Sequence, residues 1–300
     1  MSPMALESNR SWESSFEKIW WAGDMPWAVE GGILSPILMP HHQKEIDRIE
    51  VRKIMKQSKA LIAIWTTDWD SAPGEWWWTC CDISGYDLEK IENSRGKRGV
   101  KSGLKNCEIR TVDPEVFAKD AYPVYIESLE SYGVNKSSLP DFQVYKNNII
   151  KKAGYPGTRY WAAYADEKLV AFSTCFEVEG GVSLGSTKSL KAYQNLNVNS
   201  ALFYEICRYY LNETQASYVS NGRRNLLHPT SINDFLERMG FRKIYGKLNL
   251  EISPLAKLIH YSRVAVWGKF LLIDRVKPNL WEKIEGFAKL MEIQKSFQKK

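Results

Sequence analysis

Residues 169–252 constrain this chain more than any other stretch, because strand-like and helix-like periodicities alternate through them without a long gap. Residues 169–178 are rich in β-branched and aromatic side chains, Glu179–Gly180–Gly181 supplies a turn, and residues 182–187 read as the second strand of a hairpin. A polar loop, 188–199, follows. Asn199 and Ser200 suit a helix start, since a short side-chain oxygen can accept from the free N–H groups of a first turn. Leu202, Ile206, Tyr209 and Tyr210 then recur at helical spacing. Residues 216–220 predict a short strand, Asn221–Gly222 a turn, and Ile232, Phe235, Leu236 and Met239 a helix stopped by a left-handed Gly240. Ser231 and Asp234 have the spacing of a capping box. The last run alternates as one strand, with Ile244, Leu248, Leu250 and Ile252 on one face.

Upstream, residues 107–112 predict a strand and Asp113–Pro114 opens a helix running to about residue 132, with proline in its first turn. A second helix is expected at 139–153 and a strand at 159–165. Nearer the start, residues 60–65 and 76–81 are strand candidates, and the consecutive Trp76, Trp77 and Trp78 imply a strand covered on both faces. "SFEKIWWAGDMPWAV" reads as a short helix broken near Pro26, its tryptophans packing onto the main body.

The segments "SLGSTKSLKAYQNLNVNSALFYEIC" and "INDFLERMGFRKIYGKLNL", in this order, resemble the second half of the GNAT (N-acetyltransferase-like) fold, and "ERMGF" resembles that family's "EKxGF" helix end. With the upstream material the chain is similar to the FemAB-like branch. The resemblance implies an α/β (α+β) fold: a mixed, mainly antiparallel sheet flanked by helices, in two tandem GNAT-like units of which the N-terminal one is reduced. The domains expected are 1–105, a catalytic unit at 106–253, and a helical extension at 254–300. It implies an acyltransferase with an acyl-CoA donor bound where two neighbouring strands splay, its pyrophosphate on a helix N-terminus. Asn197, Asn199 and Ser200 occupy that segment here, in place of the family's glycines. The best-known FemAB-like members take aminoacyl-tRNA instead. Those carry a helical hairpin for which 113–252 has no room, so acyl-CoA is the leading donor, and nucleic acid is not expected as a partner, with charged tRNA the one exception left open. Where many GNAT enzymes place a general-acid tyrosine, four residues before the glycine of "xGF", this chain has Leu236.

Composition narrows the classes. A net charge of +6 fits an anionic ligand without the dense basic cluster of most nucleic-acid binders. Five cysteines at irregular spacing, with no CxxC pair, exclude a disulfide framework and a structural zinc site, so no metal is expected. The residues after Met1 lack an apolar core of the signal type, and no run of about 18 apolar residues occurs. A reduced, cytoplasmic location is the default expectation.

Candidate site residues follow. His228, between a strand and a helix, titrates near neutrality and suits proton transfer, as does Glu177 at a strand end. Arg223 and Arg224 could grip a carboxylate or phosphate. Arg98 and Lys101, in the basic stretch 87–106, either hold phosphate of a donor or of a lipid- or nucleotide-linked acceptor, or form a solvated face. Gly96, Gly99 and Gly103 beside them permit close backbone approach. The amphipathic stretch 280–297 either docks on the parent domain or lies on an anionic membrane surface. Three functional readings stand: an acyltransferase acting on an amine, a catalytically degenerate GNAT-like module that binds a ligand or protein, or a nucleic-acid binder built on the basic cluster from Arg95 to Lys105, whose affinity would fall steeply with salt.

Overall fold

The computed structural model describes residues 18–30, 32–131, 133–155, 157–226, 232–254, 256–257 and 278–298. Among these the chain forms two compact units. The larger comprises 79–222 and 232–242, the smaller 18–78, 223–226 and the residues from 243 onward.

In the larger unit, short polar caps and apolar spacing set the helices. Asn93 accepts from the N–H groups of Arg95 and Gly96 at the start of α2 (Ser94–Asn106). Helix α3 (Pro114–Ser131) begins on proline as expected, and α4 (Phe142–Ala153) is capped by Asp141. Two tight turns, with φ of +48° and +61° at Asp166 and Glu167 and of +42° and +86° at Glu179 and Gly180, join β7 (Thr158–Ala165), β8 (Lys168–Val178) and β9 (Gly181–Ser189) into a meander. β6 (Glu108–Thr111) pairs antiparallel with β7. Helix α5 (Val198–Glu213) returns the chain to β10 (Tyr218–Arg223), which lies parallel to β9. Helix α6 (Ile232–Arg238) follows, and Gly240 stops it with φ +89°.

With β5 (Trp77–Cys81) and β11 (Arg242–Tyr245), these strands form a seven-stranded sheet in the order β11-β5-β10-β9-β8-β7-β6. Adjacent residues of β7 show its two faces: Tyr160 meets Phe117 of α3 at 4.5 Å, whereas Trp161 meets Tyr209 and Tyr210 of α5. The core is continuous across both faces, and the five cysteines are buried in the fold as free thiols.

The smaller unit is a five-stranded sheet, β1 (Trp20–Ala22), β2 (Met25–Glu30), β3 (Ile33–Pro36), β4 (Ile62–Thr67) and β12 (Lys247–Ile252), with α1 (Arg48–Ser58) and α7 (Pro278–Gln298). The helix expected around Pro26 is a hairpin instead. Gly23, at φ +59°, turns the chain so that Trp20 opposes Trp27 and Ala22 opposes Met25. Trp27 is fully buried, edge-on to Trp65 at 5.8 Å.

The alternating run 243–252 is two strands. It breaks at Gly246, where a Cβ would lie 2.6 Å from Thr66 Cγ2, and β12 then pairs antiparallel with β4. The compact units accordingly divide the chain differently from 1–105, 106–253 and 254–300. α2 belongs to the larger unit, and β12 carries the chain back into the sheet of the smaller one. On β12, Glu251 is buried rather than exposed, because it accepts from Arg52 Nε at 2.9 Å and Arg48 Nη1 at 3.3 Å. Helix α7 docks: Leu290 and Ile293 are buried against Leu248, Leu250 and Ile252, and Gln294 Nε2 donates to Leu250 O. Among the described residues no helix is long and apolar enough to cross a membrane.

Candidate functional site

Strands β9 and β10 run together for only three residues: Gly181, Val182 and Ser183 face Tyr218, Val219 and Ser220. Beyond Ser183, β9 continues to Ser189 without β10 beside it, still paired with β8. A one-residue bulge marks the divergence. Cys175 opposes Leu184 but Ser173 opposes Thr187, so Thr174 faces both Gly185 and Ser186. Thr174 Oγ1 accepts from the Ser186 N–H at 2.9 Å. Only glycine fits at 185, because a Cβ there would lie 2.5 Å from Thr174 Oγ1 and 2.7 Å from Phe176 Cε2. Gly185 and Ser186 are exposed.

The result is a wedge in the sheet with one wall made by the free side of β9. Leu190 N donates to Val170 O on β8, so the strand's period of two turns the amides of Thr187 and Ser189 to the open side. The wedge is polar. Ser173 and Thr187 share a hydroxyl hydrogen bond of 2.8 Å, and Ser189 Oγ accepts from Asn199 Nδ2 at 3.2 Å. Lys188, half-buried on the same strand, has its pKa lowered by burial.

Helix α5 starts at the end of that wall, two residues earlier than the sequence suggests. Its N-cap is Asn197, left-handed at φ +58°, with no side-chain capping bond. Asn199 and Ser200 therefore sit inside the first turn. The glycine-like conformation is met by asparagine, which tolerates it better than most residues. The glycines of α2 face helices: Gly99 and Gly103 lie against α5, and Gly96 lies against α6. A Cβ on Gly103 would lie 2.5 Å from Asn197 O, one on Gly99 3.0 Å from Ser200 Oγ, and one on Gly96 2.1 Å from Arg238 O. Asn197 Nδ2 also donates to Ser102 Oγ at 3.2 Å. The opposite face of α2 carries Arg95, Arg98, Lys101 and Lys105, exposed and without an ion pair among the described residues. Arg98 and Lys101 thus lie on a helix that abuts the positive end of α5.

The other candidates are scattered. Glu177 pairs with Val182 on the closed side of the wedge, back toward the β8–β9 turn. Arg223 ends β10 and is exposed. Arg224 is committed to the smaller unit: Nη1 donates to Glu75 O and Oε2, both at 2.7 Å, and the guanidinium lies 4.4 Å from the Trp77 ring. Nη1 and the planar face of Arg224 are thus engaged by Glu75 and Trp77 within the smaller unit. His228 and Ser231 lie outside the described residues. The sequence reading missed Gly185 and the bulge, whose one signal is a glycine inside a strand pattern. Among the described residues no cluster of His, Cys, Asp or Glu could hold a metal.

No family model and no curated protein matches the sequence. Solved structures do match the fold. FemX aligns over 78% of this chain and 86% of its own, at TM-score 0.56 and 10% identity. The C-terminal domain of a protein assigned as a lysylphosphatidylglycerol synthetase from Agrobacterium fabrum aligns over 87% and 97%, at TM-score 0.54 and 10% identity. L-PGS from Bacillus licheniformis aligns over 88% and 95%, at TM-score 0.51 and 14% identity. The chain is similar to these in backbone course, and the fold is GNAT-like.

Proposed function

We propose that the chain is a transferase that moves an acyl or aminoacyl group from a thioester or ester donor onto an amine. The observation carrying this reading is the wedge: a parallel pair that parts after three residues, with a bulge at Gly185–Ser186 and a helix start at its end. A donor carbonyl seated against β9 would meet the outward amide of Thr187 or Ser189, which would stabilise charge developing on the oxygen. Donor phosphate would rest at the first turn of α5, where N–H groups and the helix dipole favour an anion. Binding both partners in one groove supplies proximity. Acyl-CoA is the first donor to test.

One observation favours a second donor, an aminoacyl ester on a polyanionic carrier. The row Arg95, Arg98, Lys101 and Lys105 extends along α2 beyond what a single pyrophosphate needs.

The experiment is a thermal-shift titration with coenzyme A, acetyl-CoA, a long-chain acyl-CoA and a charged-tRNA mixture, repeated on Gly185→Ala. A ligand preferring the native state raises its melting temperature by mass action. A saturable shift with one acyl-CoA, lost in Gly185→Ala, supports the thioester donor. A shift with charged tRNA alone selects the aminoacyl reading. No shift with any donor overturns the enzyme reading in favour of a degenerate binding module.

A further inference from the structure

The outer edge of β6 stands apart from the wedge. β6 is the last strand of the seven-stranded sheet and, among the described residues, has β7 as its one neighbour. Val112 N donates to Tyr160 O, so the alternation turns the backbone groups of Glu108 and Arg110 toward β7 and those of Ile109 and Thr111 outward. Glu108, Arg110 and Thr111 are exposed, and an open groove lined by Lys105, Asn106, Glu108, Arg110 and Asp166 runs beside them. Exposed edges of this kind are templates for another strand, and charge on them usually blunts pairing.

Glu108 and Arg110 pair with each other along this edge at 3.5 Å, and their alternation also makes the strand complementary to a copy of itself. Two copies of Glu108–Ile109–Arg110–Thr111 laid antiparallel about a two-fold axis at Ile109 place Glu108 of each opposite Arg110 of the other. Both pairs lie on the same face of the joined sheet, at directly opposed positions. The backbone agrees with that register, because Ile109 is an outward-facing residue and so forms the hydrogen-bonded pair at the axis. The neighbouring register, centred on Arg110, would set arginine against arginine. We propose that β6 is a self-pairing edge, through which two copies of this chain join their sheets in an isologous antiparallel dimer.

A four-residue edge buries far less than the ~1,200 Å² of an ordinary stable interface, so the dimer is weak and depends on concentration. Sedimentation equilibrium of the full chain from low micromolar to several hundred micromolar tests it. The expected result is a reversible monomer–dimer equilibrium in the wild type. Glu108→Arg, which faces arginine with arginine, should be monomeric throughout, and the double swap Glu108→Arg with Arg110→Glu should dimerise again. Ile109→Pro gives a second reading: it removes the outward N–H without taking a bond from the β7 ladder and should also be monomeric, with circular dichroism confirming that the fold survives loss of the isoleucine from the core edge. A wild type that stays monomeric at the highest concentration, or a Glu108→Arg variant that dimerises as the wild type does, overturns the proposal.

Discussion

The glycines of α2 make a prediction whose sign separates two accounts. On an exposed helix, Gly→Ala stabilises by about 1 kcal/mol, since alanine loses less backbone entropy. In the structure the three glycines face α5 and α6 instead. A Cβ at Gly96 would stand 2.1 Å from Arg238 O, and one at Gly103 2.5 Å from Asn197 O, both backbone atoms that cannot rotate away. Overpacking of this kind costs about 1–3 kcal/mol, and the 2.1 Å case belongs at the top of that range. Subtracting the propensity gain leaves Gly96→Ala about 2 kcal/mol less stable and Gly103→Ala about 1 kcal/mol less stable. At Gly99 the obstacle is Ser200 Oγ at 3.0 Å, a side chain that can turn, so Gly99→Ala should fall within about 0.5 kcal/mol of the wild type. Thermal unfolding followed by circular dichroism reads the order. At about 2–4 °C per kcal/mol for a unit of this size, Gly96→Ala should melt roughly 4–8 °C lower. Equal stability of all three variants, or a gain at Gly96 or Gly103, would refute the packed stripe and return those glycines to the ligand-facing role the sequence suggests.

Two further outcomes follow from burial. Leu290→Ala removes a side chain that is 4% exposed between α7 and β12, and should destabilise the smaller unit by about 2–4 kcal/mol in urea unfolding. An unchanged midpoint would mean that the helix docks elsewhere. The five cysteines should not react with a thiol reagent at pH 8 until the protein unfolds, and then all five should. Burial pushes the thiols of Cys80 and Cys175 up to about 12 from an ordinary 9.0. Between those values the unfolded chain releases protons that the folded one keeps, so stability should fall as pH rises above 9.0. Native-state labelling, or a flat stability profile there, would contradict the buried placement.

Much of the larger unit was legible because its elements are set by neighbours in sequence. The meander β7–β8–β9 follows from alternation and from turn residues that accept positive φ, and α3 from proline at a helix start. Gly240 as a stop needed only its own φ. The misreadings share a cause. Trp20 and Trp27 looked helical until their cross-strand pairing supplied a partner. Residues 243–252 read as one strand because alternation continues through Gly246, although β11 and β12 join different sheets and Thr66 leaves no room for a Cβ between them. The engagement of Arg224 with Glu75 and Trp77 was also out of reach, because nothing in the sequence links them.

At the candidate site the same boundary holds. The sequence by itself determined that a polar loop rich in asparagine precedes α5 and that a basic stretch with three glycines precedes β6. Those are local patterns, fixed by backbone preference and spacing. Only the tertiary structure decided that β9 and β10 part after Ser183, that Thr174 holds the bulge open, that Glu177 stays on the closed side, and that the glycines of α2 meet helices. Each of these depends on atoms far apart in the chain approaching within hydrogen-bonding or van der Waals distance. A sequence pattern of period two or 3.6 carries no information about such an approach.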